Sequence, residues 1–76
     1  MRPGQKRLGN RLKEIRARHN LTQQQLAERV GVTRKTINTV ENAVFIPSTV
    51  LALKLAAALD SRVEDLFFLP GDTDTA

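Results

Sequence analysis

The chain has 76 residues, 41% of them hydrophobic, and a formal net charge of +4, which leaves room for one small domain with a single core. It has no cysteine and one histidine, His19, so disulfides, thiol catalysis, zinc-finger ligation and a multi-histidine metal site are excluded. No apolar run approaches the ~20 residues of a membrane span, and Met1-Arg2-Pro3-Gly4-Gln5 lacks the apolar stretch of a signal peptide, so a cytoplasmic location is expected.

Residues 1–7, with Arg2, Lys6 and Arg7, read as a basic N-terminal arm. Leu8, Leu12, Ile15 and His19 recur at helical spacing and predict a first helix over about 8–18, with a start blurred by Gly9 and Asn10. His19 closes that apolar stripe and is expected to be structural.

The second helix is marked at both ends. Thr22 and Gln25 have the spacing of a capping box, and Leu21 and Leu26 that of a hydrophobic staple. Leu26, Ala27 and Val30 form its inner face, and Gly31 stops it as a left-handed terminal residue. The same grammar repeats at once. Thr33 caps a third helix, with Val32 and Ile37 at the staple positions. Ile37, Val40 and Glu41 point one way, and Arg34, Lys35, Asn38, Thr39 and Asn42 the other.

Val44-Phe45-Ile46 follows, and leaves two readings open: it folds down onto the core, or it forms a surface for self-association or a partner. Ser48 caps a fourth helix that is apolar nearly all round, with Lys54 its one charge, which places it in the middle of the domain. Ser61 and Glu64 have capping-box spacing and open a short fifth helix through about Phe67. Four consecutive apolar residues, Leu66 to Leu69, cannot share one helix face. Val63, Leu66 and Phe67 share one, and Phe68 or Leu69 is left near the surface, either as ordinary packing or as a dimer contact. The domain is expected to span 8–69 and to end in a flexible acidic tail, 70–76. No alternating apolar pattern or Asn-Gly hairpin signal is present, so strands are not predicted.

Charge is segregated along the chain. Residues 1–40 hold ten of the twelve basic side chains and two of the eight acids, a local charge of +8, whereas residues 41–76 carry −4. Such a field has a direction and favours an anionic partner, most often nucleic acid. No Gly-rich phosphate loop, nucleophile–base set or carboxylate pair is present, so no enzyme activity, cofactor, metal or small-molecule ligand is expected.

The unit that carries function is the second helix, its turn and the third helix. Counted from Gln23, the small Ala27, the turn Gly31, and the branched Ile37 and Val40 fall at the fifth, ninth, fifteenth and eighteenth places. Two helices crossing through a tight turn need a small residue at the crossing, a residue that tolerates φ > 0, and apolar wedges between them. What remains outside is polar and basic and suits the ~12 Å major groove.

In these residues the chain resembles the Xre family of Cro and phage-repressor type helix-turn-helix proteins, most nearly its short single-domain bacterial members. The runs LTQQQLAERVGVTRKTINTVEN and PSTVLALKLAAALDSRVEDLF carry the likeness, which extends from Asn10 to Leu69. It implies an all-α, five-helix lambda-repressor-like domain that binds specific double-stranded DNA as a homodimer and regulates transcription, most often as a repressor. By position it implies that Thr22, Gln23 and Gln24 hold the DNA backbone, consistent with amides at a helix N-terminus. Thr33, Arg34 and Lys35 open the reading helix, with Asn38 and Thr39 one turn on. Thr36 sits between faces, nearer phosphate than base, and Asn42 matches a backbone contact. Arg16 and Glu41 correspond to an interior ion pair tying the first helix to the end of the third.

Two departures stand out. Ala43 occupies a place where the family usually has glycine, and Val44-Phe45-Ile46 replaces a polar or basic loop, so that loop's phosphate grip is not expected here. Two other readings compete. A protein-interaction module of the same fold would carry an uncharged or acidic third helix, which this chain lacks. A single-stranded nucleic-acid binder would need stacking aromatics, and the chain has three Phe but no Tyr or Trp.

Overall fold

The computed structural model describes residues 8–70, so the basic arm, with Arg2, Lys6 and Arg7, and nearly all of the acidic tail lie outside the described residues. In chain order the elements are β1 (Gly9–Asn10), α1 (Leu12–Arg18), α2 (Gln23–Val30), α3 (Arg34–Glu41), α4 (Thr49–Ala58), α5 (Val63–Leu66) and β2 (Phe67–Phe68). All five expected helices are present. Leu12, Leu26, Ile37, Leu55, Leu59 and Leu66 are fully buried at the centre.

One piece of local chemistry sets most of this chain path. Four helices end in a residue with left-handed φ: Asn20 (57°), Gly31 (76°), Ala43 (60°) and Asp60 (49°). The next residue's N–H then reaches back five positions, Leu21 to Arg16 O at 3.3 Å, Val32 to Ala27 O at 3.0 Å, Val44 to Thr39 O and Ser61 to Ala56 O, both at 2.9 Å. This is the Schellman closure. At three of the four sites the very next residue caps the following helix, namely Thr22, Thr33 and Arg62. Leu21 and Val32 therefore serve twice, closing one helix and stapling the next, and both pack against the core. Thr22 Oγ1 accepts from the Gln25 N–H at 3.0 Å while Gln25 Oε1 accepts from the Thr22 N–H at 2.8 Å, the complete capping box.

Several expectations need correcting. A two-residue antiparallel ladder exists, pairing Gly9 with Phe68 and Asn10 with Phe67; it is too short to leave a period in the sequence. It also resolves the crowded apolar run. The chain leaves the helix at Leu66 and enters the ladder, so the run no longer has to share one helix face: Phe67 is buried, Phe68 is half-buried and Leu69 is exposed. The first helix starts at Leu12 rather than near 8, because Asn10 Oδ1 accepts from the Leu12 N–H at 3.1 Å and anchors its first turn. His19 is exposed just beyond that helix and does not extend the buried stripe.

The cap of α5 is Arg62, with Asp65 Oδ2 accepting from its N–H at 3.1 Å, rather than Ser61 with Glu64. The left-handed turn falls at Asp60, and Ser61 spends its hydroxyl on Leu59 O at 2.9 Å. Finally, α4 is not enclosed. Leu51, Leu55 and Ala56 face the core, but Val50 is 62% and Leu53 55% exposed. Phe45 (47%) and Ile46 (69%) also stay out of the core, which removes the first reading of that loop. The polypeptide between Ala43 and the Ser48 cap is too long for one residue to close α3 and staple α4 together, so Val44 has no staple to complete.

Candidate nucleic-acid interface

The scaffold of the site is the close packing of α2 on α3. Ala27, Leu26, Ile37 and Val40 fill their contact, each at most 1% exposed. Gly31 makes the turn, and nothing lies within 4 Å of where its Cβ would be; its requirement is the positive φ, not space.

The opposite side of α3 faces solvent. Arg34, Lys35 and Asn38 are exposed, and Thr36 and Thr39 are half-buried at its flanks. Among the described residues neither Arg34 nor Lys35 has a hydrogen-bond or ion-pair partner. Two unpaired cations thus stand one residue apart at the helix start. The threonines are less free. Thr33 Oγ1 caps the helix through the Thr36 N–H at 3.3 Å and lies 3.1 Å from Thr36 Oγ1. Thr39 Oγ1 donates to Thr36 O at 2.9 Å, within its own helix.

At the start of α2, Thr22 and Gln24 are exposed and Gln23 is half-buried. The N–H groups of Gln23 and Gln24 precede the first intrahelical bond and have no carbonyl partner within the helix. Gln24 Nε2 donates to Glu28 Oε2 at 3.0 Å on the outer surface. The structure therefore gathers Thr22, Gln23, Thr33, Arg34, Lys35, Thr36, Asn38 and Asn42 onto the two outer helix starts and one shared face.

Beneath this face lies a polar chain. Arg16 Nε meets Glu41 Oε2 at 2.6 Å and Arg16 Nη2 meets Glu41 Oε1 at 3.3 Å. Arg16 Nη1 also donates to Leu21 O at 2.7 Å. The side chains are 13% and 3% exposed, so the expected interior pair is present. Gln23 Nε2 then donates both to Glu41 Oε1 at 3.0 Å and to Asn38 Oδ1 at 3.2 Å. Asn42 Nδ2 donates to the same Asn38 oxygen at 3.3 Å. From the other side, Asn10 Nδ2 donates to the Val40 carbonyl at 3.1 Å.

Sequence reasoning missed the bracing roles of Gln23 and Asn10. The sequence placed Glu41 on the inner side of the third helix and Asn38 and Asn42 on the outer side, and nothing in that spacing points to Gln23 or Asn10 as a partner.

Comparisons with known proteins agree with this geometry. A family model described as Helix-turn-helix matches residues 12–66. The chain is 45% identical over 60 residues to an uncharacterized HTH-type transcriptional regulator, YgzD, of Bacillus subtilis (strain 168), covering 79% of this chain and 91% of that protein. It is 44% identical over 63 residues to an uncharacterized HTH-type transcriptional regulator, MJ0272, of Methanocaldococcus jannaschii, covering 83% and 96%. Among solved structures, the restriction-modification controller protein C.AhdI from Aeromonas hydrophila superposes with a TM-score of 0.69 at 38% identity, over 72% of this chain and 80% of that one. A putative DNA-binding protein from Bacteroides fragilis superposes with a TM-score of 0.74 at 28% identity, over 80% and 98%.

Proposed function

The chain belongs to the helix-turn-helix family, and from that premise we propose that it is a sequence-specific double-stranded DNA-binding transcriptional regulator, acting as a repressor, with α3 lying in the major groove. The observation that carries this is the outer face of α3: Arg34, Lys35 and Asn38 stand exposed on a helix whose other face, through Ile37 and Val40, is locked into the core. An arginine held this way pairs bidentately with guanine O6 and N7.

Thr22, Gln23 and Gln24 hold the DNA backbone, the last two through the unpaired N–H groups that open α2. Thr33 and Thr36 flank the groove, Thr39 lines it with its methyl group, and Asn42 meets phosphate past the end of α3. The basic arm of residues 1–7, with Arg2, Lys6 and Arg7, adds backbone or minor-groove contacts to those of a domain spanning 8–69, and 70–76 form an acidic tail. Two copies bind half-sites about one helical turn apart, ~34 Å. Support for self-association comes from the exposed large apolar side chains of Val44, Phe45 and Ile46 in the loop and of Val50 and Leu53 on α4, since exposed apolar surface of this size marks an interaction site. The protein works in the cytoplasm, and no catalytic step enters its action.

The test is a fluorescence titration against random genomic duplexes. Bound fragments should share a short inverted repeat, and affinity should fall steeply with salt through counterion release. Binding indifferent to sequence and salt would refute the proposal.

A further inference from the structure

The hydrogen-bond chain behind α3 has a direction, and one member fixes it. A carboxylate accepts and never donates. Glu41, with a side chain 3% exposed and paired to Arg16, therefore requires a donor from Gln23, which must turn its NH2 inward. That group has two hydrogens, and its two partners, Glu41 Oε1 at 3.0 Å and Asn38 Oδ1 at 3.2 Å, take both. Asn38 in turn must offer its oxygen to Gln23, and the same oxygen also accepts from Asn42 Nδ2 at 3.3 Å. Both acceptor positions of the Asn38 carbonyl are thus filled, and its NH2 is left to face solvent.

We propose that Glu41, acting through Gln23, is a specificity-determining positioning residue: it makes Asn38 meet DNA as a donor only. An unconstrained asparagine reads adenine bidentately, donating to N7 while accepting from the N6 amine. With its oxygen engaged, Asn38 has no acceptor for N6, and it loses the adenine pairing. Guanine presents two acceptors, N7 and O6, side by side in the major groove, against one each on adenine (N7, beside the N6 donor) and thymine (O4, beside the methyl group), and so is the base whose edge best matches a lone NH2. Cytosine, with its N4 donor, is rejected. The same logic refines the part played by Gln23. Its NH2 is fully used, so its side chain has nothing to donate to a phosphate, and only its main-chain N–H remains for the DNA backbone. Asn42 Nδ2 holds the second acceptor position of the same oxygen, and Gln23 cannot turn away from the first, because Glu41 holds it.

This rests on α3 reading duplex DNA, and the experiment separates the two ideas. A duplex selected by the wild-type chain is prepared with each base pair replaced in turn, and binding is titrated for wild type, Asn38→Ala, Gln23→Ala and the double variant. Asn38→Ala identifies the position that Asn38 reads. There the wild type should favour guanine over adenine by about fivefold or more. Gln23→Ala frees the Asn38 oxygen and should reverse that order toward adenine, and the double variant should show no preference. An identical preference in wild type and Gln23→Ala overturns the proposal while leaving the regulator intact. So does a uniform loss of affinity over all duplexes without a change of preference, which would put the Gln23 side chain on the phosphates. Failure of the wild type to bind any duplex overturns both. Side-chain amide hydrogen exchange in the free protein gives a reading without DNA: the Gln23 NH2 should exchange more slowly than that of Asn38, and equal rates would count against the directed chain.

Discussion

Arg16 meets Glu41 through two nitrogens, Nε 2.6 Å from Oε2 and Nη2 3.3 Å from Oε1, and so ties α1 to the last turn of α3. The remaining nitrogen, Nη1, holds Leu21 O at 2.7 Å, which adds the α1–α2 turn to the same knot. Because Glu41 is nearly sealed from water, removing its partner leaves a stranded charge. Arg16→Ala should lower unfolding free energy by ~3–5 kcal/mol, read as a shift of the urea midpoint. Arg16→Lys should rescue only part of this, since a single ammonium cannot span both carboxylate oxygens and the Leu21 carbonyl. A midpoint unchanged in Arg16→Ala would show that the pair contributes nothing.

Ala43 is the one left-handed helix end without glycine, asparagine or aspartate. Its Cβ is strained there, whereas its N–H still bonds Val40 O at 3.0 Å. Ala43→Gly should therefore stabilise the fold by ~1 kcal/mol. A rise in the urea midpoint at constant slope checks it; a fall would mean that the Ala43 methyl packs better than its backbone is strained.

Gly9 matters for a different reason. A Cβ at this position would sit 2.6 Å from the Phe68 ring, and that ring is backed by the Arg11 guanidinium 4.5 Å from its centroid. Gly9→Ala should cost ~1–3 kcal/mol by overpacking. The cost should largely vanish in a Phe68→Ala background, so a thermal double-mutant cycle isolates the contact. Additive effects would mean that the strand moves aside freely.

On the DNA side, Arg34→Ala should weaken a selected operator by ~1–3 kcal/mol and relax one base position. Its fold stability should stay within ~0.5 kcal/mol, because the side chain is exposed. Unchanged affinity for the operator would remove Arg34 from base readout.

Val50 and Leu53 are exposed on the outer side of α4. Leu53→Glu should leave the melting transition nearly unchanged but shift sedimentation toward the monomer and weaken binding to the full inverted repeat more than to a half-site. Equal sedimentation of both proteins would move the proposed dimer surface elsewhere, with exposed Leu69 next in line.

The sequence alone determined what is local. Thr22 with Gln25, Thr33, Gly31 and Ser48 mark helix ends because capping and left-handed closure act over three to five residues, and the helical period of Leu26, Ala27, Val30, Ile37 and Val40 put the polar, basic side of α3 outside. The tertiary structure alone decided what joins distant segments: the pairing of Gly9–Asn10 with Phe67–Phe68, the uncovered side of α4, and the grip of Gln23 on Asn38, fifteen residues away. Spacing along one helix places side chains on a face but carries no information about which side chain from another helix comes within 3 Å, because that depends on how the core packs the helices together.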